Sequence, residues 1–107
     1  MKYPIHYKVT PITKVFDVNE EENRIFDLLY SKLPEKVNNR ITLIRLSDGT
    51  LLVECVGYYI GRINLQGKNK FMQILTSLYD NSIIHEDFDE NVDVWVKYIN
   101  NYVLKEL

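Results

Sequence analysis

The side chains here with chemistry to offer are one cysteine, Cys55, two histidines, His6 and His85, and a cluster of carboxylates late in the chain. A cysteine nucleophile acts as a thiolate, which needs a basic neighbour to lower its pKa and an oriented base within hydrogen-bond reach. Cys55 lies in the apolar run LLVECVGYY with no such neighbour, so it reads as a small buried hydrophobe. The histidines stand far apart in the chain, and only His85 has carboxylates beside it. Solvated or packing roles fit both better than a metal ligand or a general base. No constellation for catalysis is present, and the expectation is a protein that is not an enzyme.

The acidic stretch HEDFDENVD is the strongest local signal. Between residues 71 and 93 there are six acids, Asp80, Glu86, Asp87, Asp89, Glu90 and Asp93, and no lysine or arginine. A calcium loop alternates its acids, turns on a glycine and closes with a glutamate at its twelfth position. This run does neither, so no metal and no cofactor are expected. As a surface it would draw a basic cleft through complementary potential, speeding encounter and selecting partners. Part of the charge has a simpler origin, because Asp89, Glu90 and Asp93 fall in or near the first turn of a helix, where the dipole favours anions.

The opposite charge gathers earlier. Residues 36–70 hold six bases against two acids, a balance of +4. Arg45, Tyr58, Arg62, Lys68 and Lys70 could contact a nucleic acid through phosphates and aromatic stacking. Against that alternative stand the net charge of −2 and the lack of an aromatic recognition pattern on the strands. Gly67-Lys68 is not a phosphate loop, because it lacks the second glycine and the Lys-Ser/Thr ending.

Stretches with recognisable periodicity must position these groups. Residues 40–65 read as a three-stranded antiparallel meander. Asp48-Gly49 is a two-residue hairpin signal that sets Leu46 against Leu51, Ile44 against Val53 and Thr42 against Cys55 on the core face. Ile41, Leu43, Arg45, Leu52, Glu54 and Val56 then share the outer face. A three-residue turn, Val56-Gly57-Tyr58, would place Tyr59, Gly61 and Ile63 opposite Cys55, Val53 and Leu51, with Arg62 outside near Glu54 and Arg45. Gly61 within a strand suggests a bulge or a closely packed helix.

Asn19 with Glu22 forms a capping-box start to a first helix, whose stripe is Ile25, Phe26, Leu28, Leu29 and Leu33 and which Pro34 ends. Phe71, Ile74, Leu75 and Leu78 keep helical spacing and predict a second helix over residues 70–79. Asp87 paired with Glu90 caps a third, carrying Val92, Trp95, Val96, Ile99, Tyr102 and Val103. Residues 1–18, interrupted by Pro4 and Pro11, read as an extended arm that lies along a sheet edge, with Ile5, Tyr7 and Val9 on one side.

The expected fold is α+β: a small three-stranded antiparallel sheet with three helices in the order α-β-β-β-α-α and an extended N-terminal arm. At 107 residues and 46% hydrophobic content it forms a single domain, 1–107, with the arm at 1–18 and the core at 19–107. A single cysteine, no secretory apolar region in MKYPIHYKVTPI and no apolar run long enough to span a bilayer point to a cytoplasmic location without a membrane role. The apolar residues on the outer sheet face must be covered by the arm, by a second copy in a homodimer, or by a partner.

That element order, with acids between the last two helices, resembles the small phage-encoded anti-CRISPR inhibitors of the RNA-guided type II nuclease. The similarity covers residues 40–104 and the first helix, and it is one of arrangement. It implies a non-catalytic inhibitor in a bacterial host cell. Its acidic connector, Glu86, Asp87, Asp89, Glu90 and Asp93 with Asp80 at its edge, would occupy the arginine-lined channel that reads the motif beside the DNA target, as a DNA mimic. A phage inhibitor of a different defence protein fits the same surface equally well.

Overall fold

Asn19 starts the first helix as the capping box requires: its side chain accepts from the Glu22 amide at 2.9 Å, and the Glu22 carboxylate accepts from the Asn19 amide at 3.2 Å. The computed structural model describes residues 4–7 and 16–106, so Val9 and the rest of the predicted arm at 1–3 and 8–15 lie outside the described residues. Its elements are β1 (Ile5–Tyr7), α1 (Glu20–Ser31), α2 (Glu35–Asn38), β2 (Ile41–Arg45), β3 (Leu51–Cys55), β4 (Tyr58–Asn64), β5 (Phe71–Leu75), β6 (Asn81–Ile84) and α3 (Phe88–Tyr98). The last helix runs on through a π-helical turn, Ile99–Val103, and a 3-10 turn, Leu104–Glu106.

All six strands form one mixed sheet in chain order, with β1 parallel to β2 and every later pair antiparallel. The expected three-stranded sheet is therefore wrong, although the α+β class stands. The stretch expected as a second helix is the strand β5 and the turn after it. Its five residues are too few to separate the two periods, and alternation fits them as well: Met72 and Ile74 are buried while Phe71, Gln73 and Leu75 are half-buried. Pairing with β4 and β6 on both sides decides the matter. Ile83 and Ile84 belong to β6, where Ile83 is exposed.

The register of the first hairpin also differs, by one residue. Leu46 donates to the Thr50 carbonyl at 2.7 Å and Gly49 donates to the Leu46 carbonyl at 3.0 Å. Together with the positive φ of Gly49, +94°, this makes a three-residue loop with a glycine bulge. Leu43 therefore faces Val53, and Arg45 faces Leu51. A one-residue slip turns every side chain over, so Leu43 and Arg45 point into the core and Ile44 points out. The next turn is the two-residue one, Val56-Gly57, with φ of +54° and +82°. Tyr58 thus pairs with Cys55 and Tyr59 with Glu54. A bulge beside Val53 then restores Gly61 opposite Val53 and Ile63 opposite Leu51.

One core joins Ile25, Phe26 and Leu29 of α1, Val92 and Trp95 of α3, and the inward residues Leu43, Val53, Ile63 and Met72 of the sheet. Gly61 lets α3 approach: a Cβ there would come within 2.5 Å of both the Trp95 indole nitrogen and the Gln73 carbonyl oxygen. That indole donates to the same carbonyl at 2.9 Å, so the sheet and α3 are locked at the glycine. On the opposite face Ile44, Leu52, Arg62 and Gln73 remain half-buried outside this core.

Candidate functional site

The acidic residues divide into two groups once α3 is in place. Asp89 accepts both guanidinium bonds of Arg24, at 3.0 and 3.1 Å, and these hold the Arg24 pKa above its ordinary value. Asp93 pairs with Lys32 at 2.8 Å. Arg24 lies in α1 and Lys32 is its C-cap residue, so these two carboxylates fasten α3 to the body and the end of α1. Glu86, Asp87 and Glu90 are exposed and form no ion pair among the described residues. Asp80, also exposed, accepts from the Ser77 hydroxyl at 3.0 Å at the turn into β6.

The capping pair expected between Asp87 and Glu90 does not form. Asp87 sits in the left-handed region at φ +58° and makes no side-chain cap. The Asn91 side chain instead donates to the Asp87 carbonyl at 2.9 Å, and the Asn91 amide donates to it at 3.2 Å. Asp tolerates this backbone conformation better than most residues. Its carboxylate is left exposed at the helix start, with no ion pair among the described residues.

The basic set expected as an alternative surface is not brought together. Arg45 is buried, its guanidinium donating to Glu22 at 2.5 and 3.3 Å and to the Gly49 carbonyl at 3.0 Å, 5.9 Å above the Phe16 ring. The expected place beside Arg62 and Glu54 is wrong because the hairpin slip puts this residue inside. Lys70 pairs with Glu21. Arg62 lies on the outer face, 5.7 Å from the Phe71 ring centre, while Tyr58 at the start of β4 and Lys68 in the turn before β5 are exposed.

Sequence reasoning missed the buried pair and the network around it. Gln66 donates to Glu22 at 2.8 Å and to the Asp17 carbonyl at 2.9 Å, and the Asn19 side chain reaches the Leu65 carbonyl at 3.0 Å. A signal was available: Glu22 stands in the same 3-4 row as Ile25, Phe26 and Leu29 and so faces the core.

Cys55 is fully buried, and burial pushes its thiol pKa up, with Arg40 opposing weakly. This is the reverse of what a nucleophile needs. His6 and His85 lie at opposite edges of the sheet, both exposed, with the His85 ring 3.2 Å from the Lys70 carbonyl. Among the described residues no group of three or more His, Cys, Asp or Glu is placed to hold a metal, and no helix is long and apolar enough to cross a membrane. Lys36 and Arg40 border an open cleft of about 410 Å³ against Val37, Val56 and Leu104.

No family model matches the chain, and no solved structure matches it significantly. Among curated proteins it is similar to ubiquitin carboxyl-terminal hydrolase 7 of Caenorhabditis briggsae, at 31% identity over 97 residues. The similarity covers 87% of this chain and 8% of that protein, so the chain spans under a tenth of the relative's length. The arrangement that resembles the anti-CRISPR inhibitors, a helix between the meander and the acidic connector, is replaced here by two strands.

Proposed function

We propose that this chain is a non-catalytic interaction module that docks its acidic connector, residues 80–90, on a basic surface of a protein partner. The observation that carries this reading is the division of the acids. Asp89 and Asp93 tie α3 to Arg24 and Lys32, while Glu86, Asp87 and Glu90 face solvent without a cation among the described residues. Fixed carboxylates on a packed scaffold lose little freedom on binding and raise the on-rate for a positive partner.

A basic surface that binds nucleic acid is the best match, because phosphates and carboxylates are read by the same guanidinium geometry. Occupation of such a cleft in the cytoplasm of a host cell would make the chain an inhibitor acting as a nucleic-acid mimic. The likeness to a small segment of a ubiquitin hydrolase supports a module that also occurs within larger proteins. Hydrolase chemistry is disfavoured by the burial and raised pKa of Cys55. The rival nucleic-acid-binding reading loses Arg45 to the core and Lys70 to Glu21.

The test is charge reversal at Glu86, Asp87 and Glu90 to lysine, with binding to a basic nucleic-acid enzyme measured in competition with duplex DNA. The parent chain should displace DNA and lose affinity with salt, and the variant should fold normally and fail to displace it. Displacement by the variant as strong as by the parent would remove the connector from the function.

A further inference from the structure

The strand β6 ends the sheet. It pairs with β5 from Met72 opposite Ile84 to Leu75 opposite Asn81, and among the described residues its other side has no neighbour. On an antiparallel edge alternate residues turn their N–H and C=O groups outward, which is a template for another strand. Protein edges are kept short or guarded by lysine, proline, a bulge or an inward charge. Asn81-Ser82-Ile83-Ile84 is short, at four residues, but has none of the other guards, and Asn81, Ser82 and Ile83 are exposed.

Next to this edge, the turn before β6 presents two large apolar side chains, Leu78 at 61% and Tyr79 at 92% exposure. The turn is well bonded. Thr76 and Ser77 amides donate to the Asp80 carbonyl at 3.0 and 3.4 Å, and Tyr79 and Asp80 amides donate to the Ser77 hydroxyl at 3.3 and 3.2 Å. Tyrosine is a residue type favoured as an interface anchor, and this ordered turn holds one in solvent.

We propose that β6 is a strand-addition site for an extended basic segment of a partner protein. The segment lies along Asn81–Ile84, with apolar residues against Tyr79 and Ile83 and lysines or arginines over Asp80 at one end and Glu86 and Asp87 at the other. Charge chooses this occupant over a second copy. Two β6 strands paired antiparallel would set Asp80 of each near Glu86 and Asp87 of the other, and a parallel pair would set like against like. Strand addition here rests on the reading of the connector as a partner-binding surface, and it adds the geometry and chemistry of the partner. Backbone bonds supply affinity and the flanking acids supply selectivity.

The probe is a capped peptide of alternating lysine and valine, titrated into the isotopically labelled full chain, beside the same peptide N-methylated at every backbone amide. The unmodified peptide should shift the amides of Asn81–Ile84 and slow their hydrogen exchange, and N-methylation should weaken it at least about tenfold through the lost backbone bonds. Equal binding by both peptides overturns strand addition while leaving the connector reading intact; binding by neither overturns both. Slowed exchange at β6 without peptide, growing with protein concentration, would name a second copy as the occupant and overturn the proposal. The double variant Glu86→Gln/Asp87→Asn should weaken the peptide several-fold, and unchanged affinity would overturn the basic character of the occupant.

Discussion

Arg45 at the end of β2 and Glu22 in the first turn of α1 meet inside the protein, neither side chain exposed, with Nη1 2.5 Å from Oε2. Glu22 also closes the capping box of α1 and accepts from Gln66, so one carboxylate fixes the helix start, the end of β2 and the loop that follows β4. A buried pair of this kind is weak evidence of net stabilisation, but breaking it strands a charge.

Replacing Glu22 with leucine should therefore destabilise the fold by about 3–5 kcal/mol, since Arg45 stays buried without its anion. The double replacement Glu22→Leu/Arg45→Met should recover most of that loss. Urea unfolding of the two single variants and the double variant gives the cycle. Equal destabilisation by the double variant and by Glu22→Leu would show that the carboxylate acts through the cap alone.

Gly61→Ala would drive a Cβ into Trp95 and the Gln73 carbonyl from a backbone at φ +153°. The expected loss is about 3 kcal/mol or more, in the range of severe overpacking. Trp95 is the chain's single tryptophan, so its fluorescence and near-ultraviolet dichroism report the displaced indole directly. A variant with the parent's spectrum and midpoint would contradict the close approach of α3 to β4.

Val56 holds φ +54° in the turn between β3 and β4, a region that β-branched residues avoid. Val56→Asn places Asn-Gly in a turn that prefers it and should relieve strain of about 1 kcal/mol, offset in part by the valine's packing at the edge of the core. The expected net effect is neutral to a modest rise in thermal midpoint. A fall of several degrees would mean that packing dominates the site.

Cys55 should resist thiol reagents in the folded protein and react fully after denaturation, because burial both hides it and raises its pKa. Between the ordinary thiol value and the raised folded value, the unfolded chain ionises first, so stability falls as pH climbs through that window. Rapid labelling of the native protein near neutral pH would contradict the burial.

What could be read from the residues was local. Asn19 and Glu22 announce α1 because a capping box needs no distant partner, and Leu51, Val53 and Cys55 show their buried face by alternation. Gly61 was legible as both a bulge neighbour and a helix contact. The pairing of Gly61 with Val53 and Ile63 with Leu51 was legible too, but the register of the first hairpin was not. Ser47-Asp48-Gly49 supports a two-residue or a three-residue loop, and the choice turns Arg45 from surface cation to core partner. Val56-Gly57 hides its tight turn because valine is a poor residue for it. β5 and β6 were obscured because five and four residues carry little periodicity, and neighbouring strands settle their conformation. At the candidate site, the acids were visible as a run, but their division depended on where α1 placed Arg24 and Lys32.

Docking of residues 80–90 on a basic partner can be read by amide shift mapping with an arginine-rich polypeptide at low salt. Shifts should concentrate at residues 80–90, fade as salt rises and vanish when Glu86, Asp87 and Glu90 become lysine, with duplex DNA producing none. Shifts that survive the charge reversal, or DNA-induced shifts at Tyr58, Arg62 and Lys68, would contradict it.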